Sequence, residues 1–422
     1  MSSTVIGFVS KQGRRPRPVN EAWSKSADST DDVLVLPMTT PERWDIFCSV
    51  ADNYGDAGVA WRLARQLVAE HRRAVRLFVD TLPALSRIAP DVDPSRERQT
   101  VRGIDVMRWA GAERPMAPVT PGQVVIEAFG CGLPSSYIEA MLAAPPAWIN
   151  LEYLSAETWI EGCHGLASRH PRLPLQRHFY FPGFTPASGG LLREADLLSR
   201  RDAFQSDPAA PAAFWRSLGV ALPEGALAIS LFCYPNRHLP ALLDQWADGD
   251  VPVCCIVPEG VATGELDRWT GGAVPHAGQT LIRGRLTLVG IPFVAQEDYD
   301  RLLWACDVNL VRGEDSFVRA LWAARPLVWQ PYPQADDAHR VKLDAFLRRY
   351  AQRMPQDSAA AFDGWHRAWN DPAADDASPA RIWDAFAAAL PSLRGHARRW
   401  TADIASQPDL AARLVKRVER LV

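Results

Sequence analysis

The chain has 422 residues, 47% of them hydrophobic, with 46 Lys and Arg against 49 Asp and Glu and a net charge of −3. That length suits two domains better than one, and the apolar content is ample for packed cores. The charge balance argues against a general nucleic-acid binder, and no apolar run approaches the ~20 residues that a membrane span needs.

Residues 1–41 are polar, and their sparse apolar side chains could not offset the entropy of ordering, so they are expected to be a disordered extension or a misassigned start. Val5–Val9 is too short for a signal-peptide core. Patterning begins at Arg43. Apolar strand-like runs follow at Trp44–Val50, Ala74–Val79, Ile104–Trp109, Val124–Phe129 and Ala147–Leu151. Helical patterns lie between some of them, at Val59–Glu70, Pro83–Ile88 and Ser136–Ala143. Apolar strands alternating with amphipathic helices imply a parallel sheet covered on both faces. A Pro- and Ala-rich stretch, Ser206–Pro223, marks a change, and the alternation then restarts. Strands are expected at Leu227–Phe232, Val251–Ile256, Leu286–Ile291, Asp307–Val311 and Leu327–Trp329. Helices are expected at His238–Trp246, Glu297–Ala305, Ser316–Ala324 and Ala335–Arg348, with a helical tail over Ala380–Val422. The expected division is 42–205 and 206–394, two doubly wound α/β domains, followed by a helix over 395–422.

Seven scattered cysteines, mostly inside apolar runs, read as reduced thiols in a cytosol. Cys163 and His164 are adjacent rather than ligand-spaced, so no metal site is expected. No GxGxxG follows the first strand and no Walker loop occurs, so neither dinucleotide nor ATP binding has motif support.

Two loops carry the chemistry. Arg312–Ala320, following the Asp307–Val311 run, has a glycine, two acids and a serine at a helix start. Free N–H groups and the helix dipole collect anions there, which suits phosphates held by backbone and Arg312, while Glu314 and Asp315 are free for sugar hydroxyls, capping or proton chemistry. The second loop, Asp52–Gly58, sits at the carboxyl end of the first strand, where such sheets bind ligands. Asp52 and Asp56 there can do general-base work. On spacing alone Asp56 can equally start the helix as a cap, and Glu314 can be a solvated acid. Phe232, Tyr234 and Phe293, near strand ends, are individually more often core than ligand contacts.

These segments resemble the bacterial protein-arginine rhamnosyltransferases that modify translation elongation factor P. The likeness runs in order through Trp44–Gly58, Tyr180–Phe184 with Gly189–Glu194, Leu231–Asn236, Pro292–Tyr299, Arg312–Ala320 and Gln330–Gln334. It begins near Trp44 and leaves the first 40 or so residues outside. The resemblance implies two Rossmann-like domains facing a cleft, the GT-B glycosyltransferase architecture, in which the C-terminal helix, here 395–422, returns to complete the first domain. It implies inverting transfer of L-rhamnose from dTDP-β-L-rhamnose to an arginine, without a cofactor or metal. Asp56 matches the family's base, Asp52 its companion and Glu314 a required acid of undecided role. Substrate contacts carry over to Asn53, Tyr54, Gly58, Phe232, Tyr234, Phe293, Gln296, Arg312, Asp315 and Ser316. The implied partner is the folded N-terminal domain of elongation factor P, in the cytoplasm, with no nucleic acid and no membrane. Two alternatives stay open: a GT-B enzyme for another nucleotide sugar or acceptor, and a non-catalytic nucleotide-sugar sensor.

Overall fold

Trp44, Ile46, Phe47 and Cys48 are wholly buried, because the strand that carries them lies in mid-sheet with side chains packed on both faces. The computed structural model describes residues 42–421 apart from Asn53, Ala335 and Asp336. The expectations for residues 1–41 and for Asn53 therefore fall outside the described residues.

The first half contains β1 (Arg43–Cys48), β2 (Ala74–Val79), β3 (Arg98–Val101), β4 (Ile104–Arg108), β5 (Val124–Ala128), β6 (Ala147–Leu151), β7 (Ala167–Arg169) and β8 (Gln176–Tyr180). They form one sheet in the order β3-β4-β2-β1-β5-β6-β8-β7. Only the outermost strands, β3 and β7, run antiparallel to their neighbours. Helices α1 (Gly55–Ala69), α2 (Leu82–Ile88), α3 (Ser135–Ala140) and α4 (Trp159–Cys163) connect these strands. Buried Asp45 in β1 is fully used: Arg76 grips both its oxygens at 2.6 and 2.5 Å, and the Gly122 N–H and Tyr137 hydroxyl donate to it.

The second half contains β9 (Leu227–Leu231), β10 (Val253–Pro258), β11 (Thr280–Arg283), β12 (Leu286–Ile291), β13 (Val308–Arg312) and β14 (Leu327–Gln330). Their order is β11-β12-β10-β9-β13-β14, parallel except at β11. Around this second sheet lie α5 (Leu197–Ser206), α6 (Ala209–Ser217), α7 (Leu239–Asp248), α8 (Thr263–Thr270), α9 (Gln296–Ala305) and α10 (Asp315–Trp322). They are followed by α11 (Ala338–Tyr350), α12 (Gln356–Asn370), α13 (Ser378–Arg381), α14 (Trp383–Ala405) and α15 (Leu410–Val418). The architecture is two Rossmann-like domains of the GT-B type.

Three features depart from the sequence reading. Ser206–Pro223 is not simply a break, since α6 lies inside it and anchors itself with buried Phe214 and Trp215. Helices α4, α5, α8 and α12 and strands β3, β7, β8 and β11 were not expected. The chain crosses back to the first half after α14, at residues 406–409, rather than at residue 395. Trp383, Phe386, Leu390 and Leu393 of α14 pack in the second half's core, whereas Leu410, Ala411, Leu414, Val415 and Val418 of α15 pack in the first. Among the described residues no helix is long and apolar enough to cross a membrane.

Candidate active site

The loop after β1 turns on its own carboxylates. Oδ2 of Asp56 accepts from the backbone N–H groups of Ala51 and Asp52, both at 2.8 Å, and the Gly55 N–H donates to the Asp52 carbonyl at 2.6 Å. Helix α1 has Tyr54 as its N-cap and no side-chain cap, so Asp56 does not spend its carboxylate capping the helix. The Tyr153 side chain sits beside Asp56 as well and favours its charged form. Burial pushes the Asp56 pKa up and these hydrogen bonds pull against it; Asp52 is likewise raised by burial, with the Asp56 charge adding to it. Two neighbouring carboxyls with raised proton affinity are suited to taking a proton.

The second loop comes from the other half. Strand β13 ends at Arg312, Gly313 turns in the left-handed region at φ 60°, and α10 begins at Asp315. A side chain at Gly313 would collide with Asp52 Oδ2 across the cleft, so the two loops meet here. Helix α10 has Glu314 as its N-cap and no side-chain cap bond, which leaves the first-turn N–H groups available to an anion. The Ser316 hydroxyl is used locally, donating to the Arg312 carbonyl and accepting from the Arg312 N–H. Arg312 makes no ion pair among the described residues; its guanidinium lies 4.7 Å from the ring centres of both Phe232 and Tyr234.

Two cavities result. One, a cleft, is walled by Phe232, Phe293, Tyr299 and Tyr54, with Asp52, Gln296, Arg312, Asp315 and Ser316 among its polar groups. Phe293 lies 4.8 Å from Tyr54 and 6.3 Å from Phe232, and is only partly buried. Gln296 donates to the Gly58 carbonyl at 3.1 Å and to Asp315 at 3.3 Å, which leaves its buried Oε1 without a partner. The other cavity holds Asp56 and Glu314 with Phe129, Tyr153, Tyr332 and Lys342. Asp52 and Gly55 line both.

Glu314 is held by the Leu154 N–H at 2.9 Å and by Lys342 at 3.4 Å. Burial raises its pKa to about 7, Lys342 and the Leu154 N–H opposing the shift. Lys342 also sits 5.0 Å from the centre of the Tyr153 ring, which stacks on Phe129 at 4.5 Å. Tyr153 is kept neutral, first by burial and then by the neighbouring Asp56 and Glu314.

Most of the residues singled out in sequence thus converge on one cleft: Asp52, Tyr54, Asp56, Phe232, Phe293, Gln296, Arg312, Glu314, Asp315 and Ser316 all line one cavity or the other. Two are placed differently. Tyr234 is 95% covered, and its hydroxyl lies beside Asp52 without a well-formed hydrogen bond. Gly58, expected at substrate, instead faces Asp315, because α1 approaches α10 too closely there for any side chain. Sequence reasoning missed Tyr153, Phe129, Lys342 and Arg62. Arg62 lies on α1 and donates to Asp315 at 2.8 Å from a wholly buried position. Among the described residues no cluster of His, Cys, Asp and Glu could hold a metal ion.

Residues 44–419 match the family of the Elongation-Factor P (EF-P) rhamnosyltransferase EarP. The chain belongs to this family. A protein-arginine rhamnosyltransferase of Pseudomonas putida is 52% identical over 374 residues, covering 88% of this chain and 97% of that one. Its counterpart from Pseudomonas aeruginosa is 48% identical over 375 residues, covering 88% and 98%. A solved structure described as the basis for EarP-mediated arginine glycosylation of translation elongation factor EF-P superposes with a TM-score of 0.64. It is 40% identical in sequence and covers 90% of this chain and 100% of its own. The two-sheet architecture is thus that of a protein-arginine rhamnosyltransferase, and its carboxylate loops face each other across the cleft.

Proposed function

We propose that this enzyme moves L-rhamnose from dTDP-β-L-rhamnose to an arginine side chain of elongation factor P in the cytoplasm, with inversion at the anomeric carbon. The observation that carries the reading is that Asp52 lines both cavities, so an aromatic seat that holds the Arg312 guanidinium and a carboxylate-rich seat share one wall. The first suits a nucleoside diphosphate. Phe293 offers a face to the thymine ring, the free Gln296 Oε1 can accept its N3–H, and Arg312 with the α10 N–H groups meets the pyrophosphate.

The second seat suits a guanidinium. Arginine is cationic at any physiological pH and its nitrogen lone pairs are delocalised, so attack needs orientation and loss of a proton. Asp52 can orient the planar group through paired hydrogen bonds, and Asp56 can take the proton. As the nitrogen bonds to the anomeric carbon, the bond from that carbon to the pyrophosphate oxygen breaks and dTDP leaves. Charge on the leaving group falls to Arg312 and the helix start, so no proton has to be delivered to it. Glu314, paired with Lys342, sets a carboxyl beside the guanidinium seat whose negative charge grows as pH rises through about 7.

Intact-mass measurement of elongation factor P incubated with enzyme and dTDP-β-L-rhamnose tests the reading. One added deoxyhexose, lost when the acceptor arginine is replaced by lysine, is expected. An unchanged mass, or equal transfer from an unrelated nucleotide sugar, overturns it.

A further inference from the structure

Each half of the enzyme presents a glycine to an aspartate of the other. Gly313, in the second half, is pressed against Asp52 of the first. Gly58, in the first half, is pressed against Asp315 of the second: a methyl group there would stand 2.9 Å from Oδ2 and 3.1 Å from Cγ. Asp315 cannot step aside. Arg62, one helical turn beyond Gly58 on the same face of α1, donates from Nε to its Oδ1 at 2.8 Å, and Gln296 holds the other oxygen at 3.3 Å while also donating to the Gly58 carbonyl.

Behind this contact the charges are buried and shared. Asp300 of α9 accepts from Arg62 at 3.2 and 3.3 Å and from Arg319 of α10 at 2.8 and 2.6 Å. Glu194, from the segment joining the halves, accepts from Arg319 at 2.7 Å and pairs with Arg62 at 3.5 Å. Arg62, Asp300 and Arg319 are 2, 3 and 2% exposed. Burial and the Arg319 charge work against the Arg62 guanidinium, and Asp300, Asp315 and Glu194 outweigh them. Buried ion clusters add little net stability compared with apolar packing, and their best-attested use is to fix register between packed elements.

We infer that the Gly58–Arg62 face of α1 is a register seam that sets the Asp52–Asp56 loop against the nucleotide-sugar seat, making Arg62 and Gly58 positioning residues. The inference rests on the transferase reading for what the loop does, and on geometry alone for what holds it. The link is direct: Asp56 opens the helix that Arg62 fixes, and Asp315 and Gln296, which hold the seam, also wall the donor cleft.

The test uses Arg62→Lys, which keeps the charge but loses the planar fork, and Gly58→Ala, which removes no polar group. Alanine is the better helix former, so any loss in Gly58→Ala comes from the seam rather than from α1 itself. In the ligand-free enzyme, amide exchange over residues 51–58 should rise at least about tenfold in either variant while β9 and β10 keep wild-type protection. At saturating substrates kcat should fall at least about tenfold, with dTDP affinity within about threefold of wild type. Unchanged exchange over 51–58 overturns the seam. So does a uniform rise throughout the protein, which would make the cluster part of global stability, and so does a loss of dTDP affinity that matches the loss in kcat. Should Arg62→Lys not fold, Gly58→Ala decides alone. A wild-type enzyme that transfers nothing would strike the functional reading, while the exchange comparison would still decide the seam.

Discussion

Replacing Glu314 with glutamine should stabilise the protein above neutral pH while impairing transfer. The carboxyl is raised from an ordinary 4.5 to about 7, by burial first, with Lys342 only partly opposing. A carboxyl that is harder to ionise folded than unfolded favours the fold at low pH, and that contribution is lost as pH rises from 4.5 through 7. At 1.36 kcal/mol per pK unit, the wild type gives up about 2.5 kcal/mol between about pH 5 and about pH 8. Glutamine does not titrate and keeps an oxygen for the Leu154 N–H, but it leaves the Lys342 ammonium facing a neutral amide. Allowing for that loss and for water at the partly open cleft, about 2 kcal/mol should remain. For a chain of this size that is roughly 3 °C in Tm. Melting of both proteins in matched buffers across that pH range is the assay. The gap should open in favour of the variant as pH rises. A gap that stays constant, or that closes above neutrality, would refute a raised carboxyl at this position.

Three further outcomes bear on the chemistry. Asp56→Asn should retain dTDP binding and lose at least about 10²-fold in kcat, because the amide keeps the shape but not the proton affinity; near-normal turnover removes Asp56 as the base. Phe293→Ala should weaken dTDP binding by roughly 1 kcal/mol or more in calorimetry, and unchanged affinity would return that ring to a packing role between the halves. Whole elongation factor P and its isolated N-terminal domain should outperform a linear peptide carrying the same arginine in kcat/KM, since delivering a poor nucleophile into a cleft draws on remote binding energy. A peptide that matches the domain would end that argument.

Much of this was legible along the chain because the central strands are buried on both faces and read as largely apolar runs, as in β10 and β12. The antiparallel edge strands were not. Strand β3 is Arg-Gln-Thr-Val, β7 is Ala-Ser-Arg and β11 is Thr-Leu-Ile-Arg; one open side and a short span leave no apolar pattern. Loop acids after a strand announce a site, which is how Asp52, Asp56 and Glu314 were found. Arg62 could not be found that way. Within α1 it reads as part of a solvated polar stripe, and only the packing of a helix 238 residues away in sequence turns it inward onto Asp300. Lys342 and Tyr153 were hidden for the same reason, since the two meet only when the halves come together.

Helix α15 closes the first half's core with Leu410, Leu414 and Val418, and Arg413 and Arg417 tie it to carbonyls at Thr185, Ser188 and Gly165. During synthesis that helix emerges after both sheets have been made. Until then the core of the first half lacks Leu410, Leu414 and Val418, while the intervening half is translated. The half that is translated first is thus the last to be finished.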